Sequence, residues 1–341
     1  MNIINSNHKT FWSYWVKLLE TNDYQYPLYS KNGIRFSKAY FNKSSFKNMS
    51  FIIVENDNPL VGVMLSLEKK NTNNILSGFG RGIFYIENNS KNVTSLKAAR
   101  KIFKKRFNEI WSSCNVKSIQ FRDYSSISGD VSYFGKYLLD NNAVCSVLFP
   151  RIIDLTLAEK IIHSQLTKSC RNNVNWGLKN LNIKIFNHQN INDETFNKLR
   201  RLHIKEAGKE TRSKSTWDYH YEMIKNNEAF LINGHYDDKV VSSALFIHNN
   251  QYCLYGVSAS RRDLFEKPLS HAIIWKAILN AKLIGCKYFD FSVLSYRNND
   301  SIVVSNKEKN INSFKKSFGG KTKSQIKLIW TKPDNMEVLN E

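Results

Sequence analysis

Apolar and polar positions form two blocks along the chain, and each block predicts the same order of elements. In the first block, the apolar runs "MSFIIVEND" and "PLVGVMLSLEKK" are separated by Asn56, Asp57, Asn58 and Pro59, which predicts two strands joined by a turn. Apolar residues then recur at helical spacing from Ser95 to Ser113. The run "VKSIQFRDY" that follows predicts a strand.

The second block repeats this order. The run "AFLINGHYDDKVVSSALFIHNNQYCLYGVSAS" predicts three strands, with turns at His235 to Asp238 and at Asn249-Asn250. A helix is predicted from Leu269 to Leu283 and ends at Gly285, and "KYFDFS" predicts the next strand.

Two successive sets of antiparallel strands, helix and strand predict an α+β fold of two domains in tandem, each a mixed sheet packed by helices. A chain of 341 residues also exceeds the usual size of one core. We place the boundary near Pro150 to Leu155, giving domains 1–152 and 153–341. After it, two basic helices at about Ala158 to Lys168 and Cys170 to Leu181 lead into the strand "IKIFN".

The net charge of +21 predicts a surface that attracts polyanions, whether nucleic acid, phosphorylated small molecules or an anionic membrane face. Lysine and arginine are spread along the whole chain, which favours a basic groove at least as much as a nucleic-acid footprint. The alternative is a bias of composition, since the chain is rich in Asn, Lys and Ile. Apolar residues make up 42% of the chain, which excludes a disordered protein.

Cysteine and histidine usage indicates neither a disulfide framework nor a metal site. The five cysteines are odd in number and widely spaced, and the eight histidines form no metal-binding pair and no Ser/His/Asp set. The longest apolar stretch, "HAIIWKAILNAKLIGC", is interrupted by Lys276 and Lys282. Together with an N-terminus that lacks a signal-peptide pattern, this predicts a cytoplasmic protein, with peripheral association at the inner membrane face as a further expectation.

The stretch "NINSFKKSFGG" near the C-terminus combines Phe314, Lys315, Lys316 and Phe318 with a stop at Gly319-Gly320. It resembles the closing Phe-Lys-x-x-Phe-Gly motif of the FemABX-type transferases. Other stretches resemble that family in the same order. They are "SQLTKSCRNNVNWGLKNLNIKIF", "KVVSSALFIHNNQYCLYGVSAS" and "LSHAIIWKAILNAKLIGCKYFDFS" in the second half, and "GFGRGIFYI" and "SIQFRDY" in the first.

The resemblance implies two tandem domains of the GNAT (acyl-CoA N-acyltransferase) fold and transfer of an acyl group, an aminoacyl group among the candidates, to an amine. The acceptor would be a cell-envelope precursor, either a peptidoglycan peptide or an amino sugar of a surface polysaccharide. The donor would be aminoacyl-tRNA or acyl-CoA, with no tightly bound cofactor. The expected partners are therefore a phosphorylated sugar or peptidoglycan precursor, tRNA and an anionic membrane surface, but not DNA.

Lys315 is the candidate for stabilising the oxyanion that forms when an amine attacks an ester or thioester carbonyl. Fixed between Phe314 and Phe318, its ammonium would be held in a partly dry place, where an oxyanion partner is worth more than in water. Phe314 is counted with it in the catalytic set. The alternative is that Lys315 and Lys316 form the solvated face of an amphipathic turn.

Asp123 and Asp290 each end an apolar strand and are candidates for a base at the attacking amine. The alternative for both is a turn or cap residue.

Four cations and a tyrosine are candidates for substrate binding. Arg171 and Lys179, on one predicted helix, would meet phosphate or tRNA backbone, with exposed helix charge as the alternative. Arg212 resembles the family's acceptor-binding arginine, and Arg81 lies in the possible phosphate turn "GFGRG". Tyr255, at a strand end, would donate to a substrate carbonyl or sugar phosphate, or else have a structural partner.

Two rival functions remain open. Acyl-CoA-dependent acylation of a nucleotide-linked amino sugar is weakened because "RRDLFEKPLSHAII" lacks the glycines of a pyrophosphate loop, although Arg261, Arg262 and the amides from Leu269 to His271 remain phosphate candidates. The high positive charge leaves a non-catalytic nucleic-acid-binding protein as the second rival.

Overall fold

The computed structural model of the protein describes residues 1–22, 25–70, 72–89, 92–297 and 303–333. The helices of this part of the chain are α1 Phe11–Glu20, α2 Lys31–Tyr40, α3 Val93–Ser113, α4 Tyr133–Asp140, α5 Glu159–Ser164, α6 Lys168–Asn180, α7 Asp193–Ala207, α8 Lys214–Lys225, α9 His271–Leu283 and α10 Asn306–Ser317. Its strands are β1 Asn2–Asn5, β2 Ser45–Asn48, β3 Phe51–Glu55, β4 Asn58–Met64, β5 Ser66–Lys70, β6 Asn73–Ser77, β7 Phe84–Glu87, β8 Ser118–Asp123, β9 Val144–Asp154, β10 Asn182–Phe186, β11 Ala229–Tyr236, β12 Lys239–His248, β13 Tyr252–Ser260, β14 Tyr288–Leu294, β15 Lys321–Thr322 and β16 Gln325–Thr331.

The chain divides into two compact units that are not continuous in sequence. Unit 1 comprises Met1–Tyr24, Phe41–Leu148 and Ser324–Glu341, and unit 2 comprises Gln25–Tyr40 and Phe149–Lys323. The boundary expected at 152/153 falls in the same strand, β9, as the observed change of unit. A single boundary does not describe two segments. Gln25–Tyr40 belongs to unit 2 although unit 1 surrounds it in sequence, and Ser324–Glu341 belongs to unit 1 although it follows unit 2.

Unit 1 contains two groups of hydrogen-bonded strands. The first has the order β1-β3-β4-β7, and the second has the order β9-β16-β8-β6-β5-β2. Residues 144–148 of β9 pair with β16, which in turn pairs antiparallel with β8. Strand β16, the last described strand, is therefore a central strand of unit 1.

The core of unit 1 is rich in aromatic side chains. Helix α3 contributes Phe103 and Phe107, which are fully buried, and both rings contact Phe134 of α4. Phe134 also contacts Phe121 of β8 at a ring-centroid distance of 4.9 Å. These contacts fix α3 and α4 against the strands, because buried aromatic pairs add to the free energy of area burial.

Unit 2 has the strand order β10-β11-β12-β13-β14-β9, with β15 paired to β9. All neighbours in this order are antiparallel except β13 and β14, which are parallel. Helix α9 makes the crossover between them, as a parallel connection requires. It is apolar nearly all round and largely buried, so it packs in the core.

Most elements predicted from periodicity are present within one or two residues of their expected bounds, including the strand pair at β3 and β4, α3, β8, the β11–β12–β13 set, α9 and β14. Helices α1, α2, α4, α7 and α8 were not predicted. None of the described helices combines the length and apolarity needed to cross a bilayer.

Candidate functional site

The parallel strands β13 and β14 of unit 2 separate after a short paired stretch. Their register covers Tyr252 to Leu254 against Tyr288 to Asp290, and beyond it β13 continues along β12 while β14 continues along β9. A bulge opposite Leu245 leaves Gly256 of β13 outside the ladder. A Cβ there would lie 2.9 Å from the Leu245 carbonyl oxygen, so the bulge favours glycine.

Asp290, the last residue of β14 that pairs with β13, is almost fully buried, and its carboxylate holds the residues that follow it. Its Oδ2 accepts from the Tyr252 hydroxyl at 2.7 Å, and its Oδ1 accepts from the Ser292 amide at 2.6 Å. Ser292 has φ +65°, a left-handed conformation that is uncommon for serine, and the pairing with β9 shifts register there. These contacts are those of the turn residue given above as the alternative to a base.

Lys315, in the last turn of α10, contacts β14 just after the register shift that follows Asp290. Its Nζ donates to the Val293 carbonyl at 2.9 Å. Burial lowers the pKa of Lys315 below its usual range, and the nearby Asp290 carboxylate opposes that change. An ammonium has three N–H donors, and of the described residues Val293 is the acceptor for one of them. The two others are available to a ligand oxygen.

Phe314 and Phe318 do not enclose the lysine between them. They contact each other, at 5.3 Å between ring centroids, and both contact His271 at the start of α9. Residues four apart share a helix face, whereas Lys315 lies on the neighbouring face toward β14. Its partly dry setting therefore comes from burial against β14. Lys316 is exposed, with its ammonium 5.1 Å from the Tyr296 ring.

Tyr255 belongs to the same side-chain cluster. Its ring contacts Phe291 at 5.9 Å, and Phe291 contacts Phe318 at 5.4 Å. The Tyr255 hydroxyl lies 2.6 Å from Ser258 Oγ, and burial raises the pKa of Tyr255, so it remains a protonated donor. We call Tyr255, His271, Phe291, Phe314 and Phe318 the aromatic cluster.

Sequence reasoning missed His271 in this cluster. Its Nε2 lies 3.3 Å from the Asn173 side-chain amide, and burial lowers its pKa, which favours a neutral ring. The only sequence signal is its place at the start of a strongly apolar helix. Gly319 and Gly320 end the motif with φ of +78° and +75°, and a Cβ on Gly320 would lie 2.5 Å from the Ile152 carbonyl oxygen. The double glycine is therefore a steric requirement.

Arg171 and Lys179 do not form one phosphate site. Arg171 donates to the carbonyls of Ser164 and Leu166, at the C-terminal end of α5, where cations are favoured. Lys179 is exposed at the other end of α6, about 12 Å further along the helix axis.

Arg212 is a largely buried cation that no carboxylate among the described residues pairs with. It donates to His203 Nε2 at 2.8 Å, and its guanidinium lies over the rings of Tyr40 and Trp217. Since an arginine only donates, His203 is the acceptor and carries its proton on Nδ1. Burial lowers the pKa of Arg212, and burial together with the Arg212 charge lowers that of His203.

Three buried N–H groups in this region have no hydrogen-bond partner among the described residues. They are Arg212 Nε, His203 Nδ1 and Trp217 Nε1. Buried donors are nearly always satisfied in folded proteins. A group of them beside a guanidinium that no described carboxylate pairs with therefore suits an anionic oxygen ligand.

A basic groove of about 380 Å³ lies on unit 2 between α7 and the turn joining β11 to β12. Its charged lining residues are the cations Lys198, Arg201, Lys205, Lys239 and Arg261 and the single carboxylate Asp238. Although Lys198 and Arg261 also have carboxylate partners, in Glu194 and Asp263, the lining as a whole favours anions.

Three of the groups expected to hold a CoA pyrophosphate, the Arg261 side chain and the amides of Leu269 and His271, already have hydrogen-bond partners. Arg261 is paired with Asp263. The amides of Leu269 and His271 already donate to the carbonyls of Lys267 and Pro268. A phosphate bound by these three groups would have to displace these bonds.

Arg81 and Asp123, the two candidates from the first half of the chain, belong to unit 1. The Arg81 guanidinium lies 5.5 Å from the Phe41 ring. Asp123 is buried, and its carboxylate accepts from the Ser125 amide and from the amide and hydroxyl of Ser132 before α4. These are the contacts of a turn and cap residue, although burial raises the pKa of Asp123.

In comparisons of sequence, no protein-family model and no curated protein matches the chain. Solved structures do match over nearly the whole length. A FemX structure has a TM-score of 0.65 at 12% identity, over 97% of this chain and 98% of that one. The L-PGS structure from Bacillus licheniformis has a TM-score of 0.57 at 11% identity, over 96% and 93%.

A third structure, the C-terminal domain of a putative lysylphosphatidylglycerol synthetase from Agrobacterium fabrum, has a TM-score of 0.59 at 9% identity, over 93% and 91%. At such identities the similarity is one of fold. The chain has a FemX-like fold, and the predicted α+β fold class is confirmed.

Proposed function

We propose that the protein is a FemABX-like N-acyltransferase that moves an acyl group, with an aminoacyl group preferred, to an amine of a cell-envelope precursor. The observation that carries the proposal is Lys315. A partly buried ammonium lies where β13 and β14 separate, 2.9 Å from the Val293 carbonyl, and its two other N–H donors have no acceptor among the described residues. The FemX-like fold supports the same conclusion.

The reaction needs no covalent enzyme intermediate. The acceptor nitrogen bonds to the donor carbonyl carbon, and the bond from that carbon to the donor's ester oxygen or thioester sulfur breaks. The proton that the nitrogen loses ends on the departing oxygen or sulfur, which leaves as an alcohol or thiol. Negative charge builds on the carbonyl oxygen before the bond breaks. Lys315 donates to this oxygen, and a preorganised cation in a water-poor place stabilises that charge strongly.

Asp290 acts in this proposal through the lysine. Its negative charge favours the protonated form of Lys315 against the effect of burial. Its hydrogen bond to the Ser292 amide also holds the bulge that precedes the Val293 carbonyl. We therefore assign Asp290 as a positioning residue, with Tyr255 and Phe314 forming the wall beside the reacting groups.

Phosphates of the substrates would be held elsewhere on unit 2. Arg212, with its unsatisfied neighbours, suits a phosphate of a sugar-linked or peptide-linked acceptor. The basic groove suits the phosphates of a longer donor such as aminoacyl-tRNA. The occupied amides at Leu269 and His271 favour aminoacyl-tRNA over acyl-CoA as donor.

Mass spectrometry of candidate precursors incubated with the protein and either charged tRNA or acyl-CoA tests the activity. The variant Lys315→Met keeps the apolar stem and removes the charge. We expect it to lower kcat by about 10²–10³-fold, the usual effect of losing one oxyanion donor. Lys316→Met, on the adjacent and exposed position of α10, is the matched control and should keep wild-type activity.

Each alternative has its own outcome. Turnover with acyl-CoA and no tRNA would show the acyl-CoA-dependent acylation of an amino sugar. RNA binding without transfer to any amine would show a non-catalytic nucleic-acid-binding protein. Full activity of Lys315→Met would refute the role given to the lysine, whatever the donor.

A further inference from the structure

Unit 1 has its own separation of parallel strands, and a cavity of about 370 Å³ lies there. Strand β8 pairs in parallel with β6 at Ser118 and Ile119 and forms one bridge to Ile83. Beyond this bridge β7 pairs with β4 instead. The cavity is lined by β7, by the chain that follows β8, and by the first turn of α4. It lies at the place in unit 1 that corresponds to the separation of β13 and β14 in unit 2.

The charged residues of this unit 1 cavity form two ion pairs. Arg100 donates to Glu87 through Nε at 2.8 Å and through a terminal nitrogen at 2.6 Å, and the Tyr85 hydroxyl donates to the same carboxylate. Lys136 lies 3.4 Å from Asp130 at the rim. The described lining residues therefore carry two cations and two carboxylates, with a formal charge of zero.

Neutrality is unusual in a chain of net charge +21. A phosphate would find no excess of cations in the unit 1 cavity, and an ammonium would find no excess of carboxylates. The basic groove of unit 2 shows the lining that an anion would select. The unit 1 cavity thus favours a neutral ligand.

The remaining lining of the unit 1 cavity is polar and aromatic together. Amide and hydroxyl side chains come from Asn22, Asn89, Ser125 and Ser128, and these groups both donate and accept hydrogen bonds. Arg100 has five N–H donors, of which Glu87 takes two, and its guanidinium lies 5.2 Å from the Tyr133 ring. Paired donors and acceptors beside an aromatic face match a ring that carries several hydroxyl groups.

We propose that the unit 1 cavity is a binding site for a neutral sugar ring. Its volume is at the small end of the range for ligand sites, about 300–1,000 Å³, which suits a single ring rather than a chain. Arg100 and Glu87 form hydrogen bonds with ring hydroxyls, and Tyr133 packs on the ring. This site is independent of acyl transfer in unit 2.

The test is direct binding of N-acetyl-D-glucosamine to the full chain, measured by calorimetry. We expect saturable binding that Arg100→Ala and Tyr133→Ala weaken at least tenfold. Arg106→Ala is the matched control, because Arg106 lies on the same helix and is also paired with a glutamate, Glu109, but lies outside the unit 1 cavity. Lys315→Met should bind the sugar as the wild type does.

Removing Arg100 leaves the largely buried Glu87 without its counter-ion and risks unfolding unit 1. Hydrogen exchange on the wild type avoids that risk, and the sugar should slow exchange in residues 84–89 and 132–136. Absence of binding at about 10 mM sugar overturns the proposal. Slowed hydrogen exchange only in other residues also overturns the proposal. Binding of the neutral peptide N-acetylalanine amide in place of the sugar does so as well.

Discussion

His220 makes the stability of unit 2 depend on pH in a way that the structure quantifies. The side chain is 2% exposed and stacks on Phe36 with ring centroids 4.5 Å apart. Burial, followed by the charges of Arg212 and His203, lowers the pKa of His220 to about 3. A protonated imidazole there would be shielded from water, and no carboxylate among the described residues pairs with it, so the ring is neutral in the folded protein.

The sign of the effect follows from this pKa. In the unfolded chain a histidine has a pKa of about 6.5, so between pH 6.5 and 3 the unfolded state binds a proton that the folded state does not. The free energy of unfolding is therefore complete above pH 6.5 and falls as the pH is lowered through that range. At pH 5 the loss from His220 alone is about 2 kcal/mol.

Urea unfolding of the wild type and of His220→Phe, at pH 7 and at pH 5, measures this loss. Phenylalanine keeps a ring against Phe36 but does not titrate, and the other titrating groups cancel in the comparison of the two proteins. We expect the stability of the variant relative to the wild type to rise by about 2 kcal/mol between pH 7 and pH 5. A change below about 0.5 kcal/mol would show that His220 accepts a proton in the folded protein, and the reasoning from burial would be wrong.

Two further substitutions test packing. Gly320→Ala places a Cβ 2.5 Å from the Ile152 carbonyl oxygen at positive φ, and should destabilise the protein by about 1–3 kcal/mol more than Gly208→Ala, which has a similar φ and open space. Equal losses would refute the steric argument. Phe134→Ala should cost about 3–5 kcal/mol in urea unfolding, because its ring is fully buried among five aromatic side chains, whereas Phe265→Ala, at an 85% exposed position, should cost almost nothing. A small loss for Phe134→Ala would mean that the unit 1 core repacks.

Local pattern was sufficient for elements whose burial is regular. The sequence shows the apolar runs of β3, β4 and β11 to β13, and the apolar helix α9. In each of them the spacing of the apolar residues alone indicates the type of element. Helix α7 was missed although signals were present. Asn192 caps its first turn, Asp193 and Glu194 follow, and Gly208 ends it.

Long-range features were not predictable in the same way. The segment Gln25–Tyr40 belongs to unit 2, and its packing partners lie far along the chain. Lys315 could be chosen from the motif, but its acceptor, the Val293 carbonyl, depends on a bulge at a left-handed serine that no residue preference indicates. The unit 1 cavity likewise depends on ion pairs and aromatic faces that meet only in the folded unit.

The position of β16 has a consequence for synthesis of the chain. Residues 325–329 of β16 pair with residues of β9 up to 148, so the N-terminal unit lacks a central strand until about 180 further residues have been made. At roughly 5–20 residues per second, this is a delay of roughly 10–40 s on the ribosome. During that time β8 and β9 each present an unpaired edge. Although most of unit 1 is made first, it is thus completed last, and a chain stopped anywhere before residue 325 would lack the strand that joins β8 to β9.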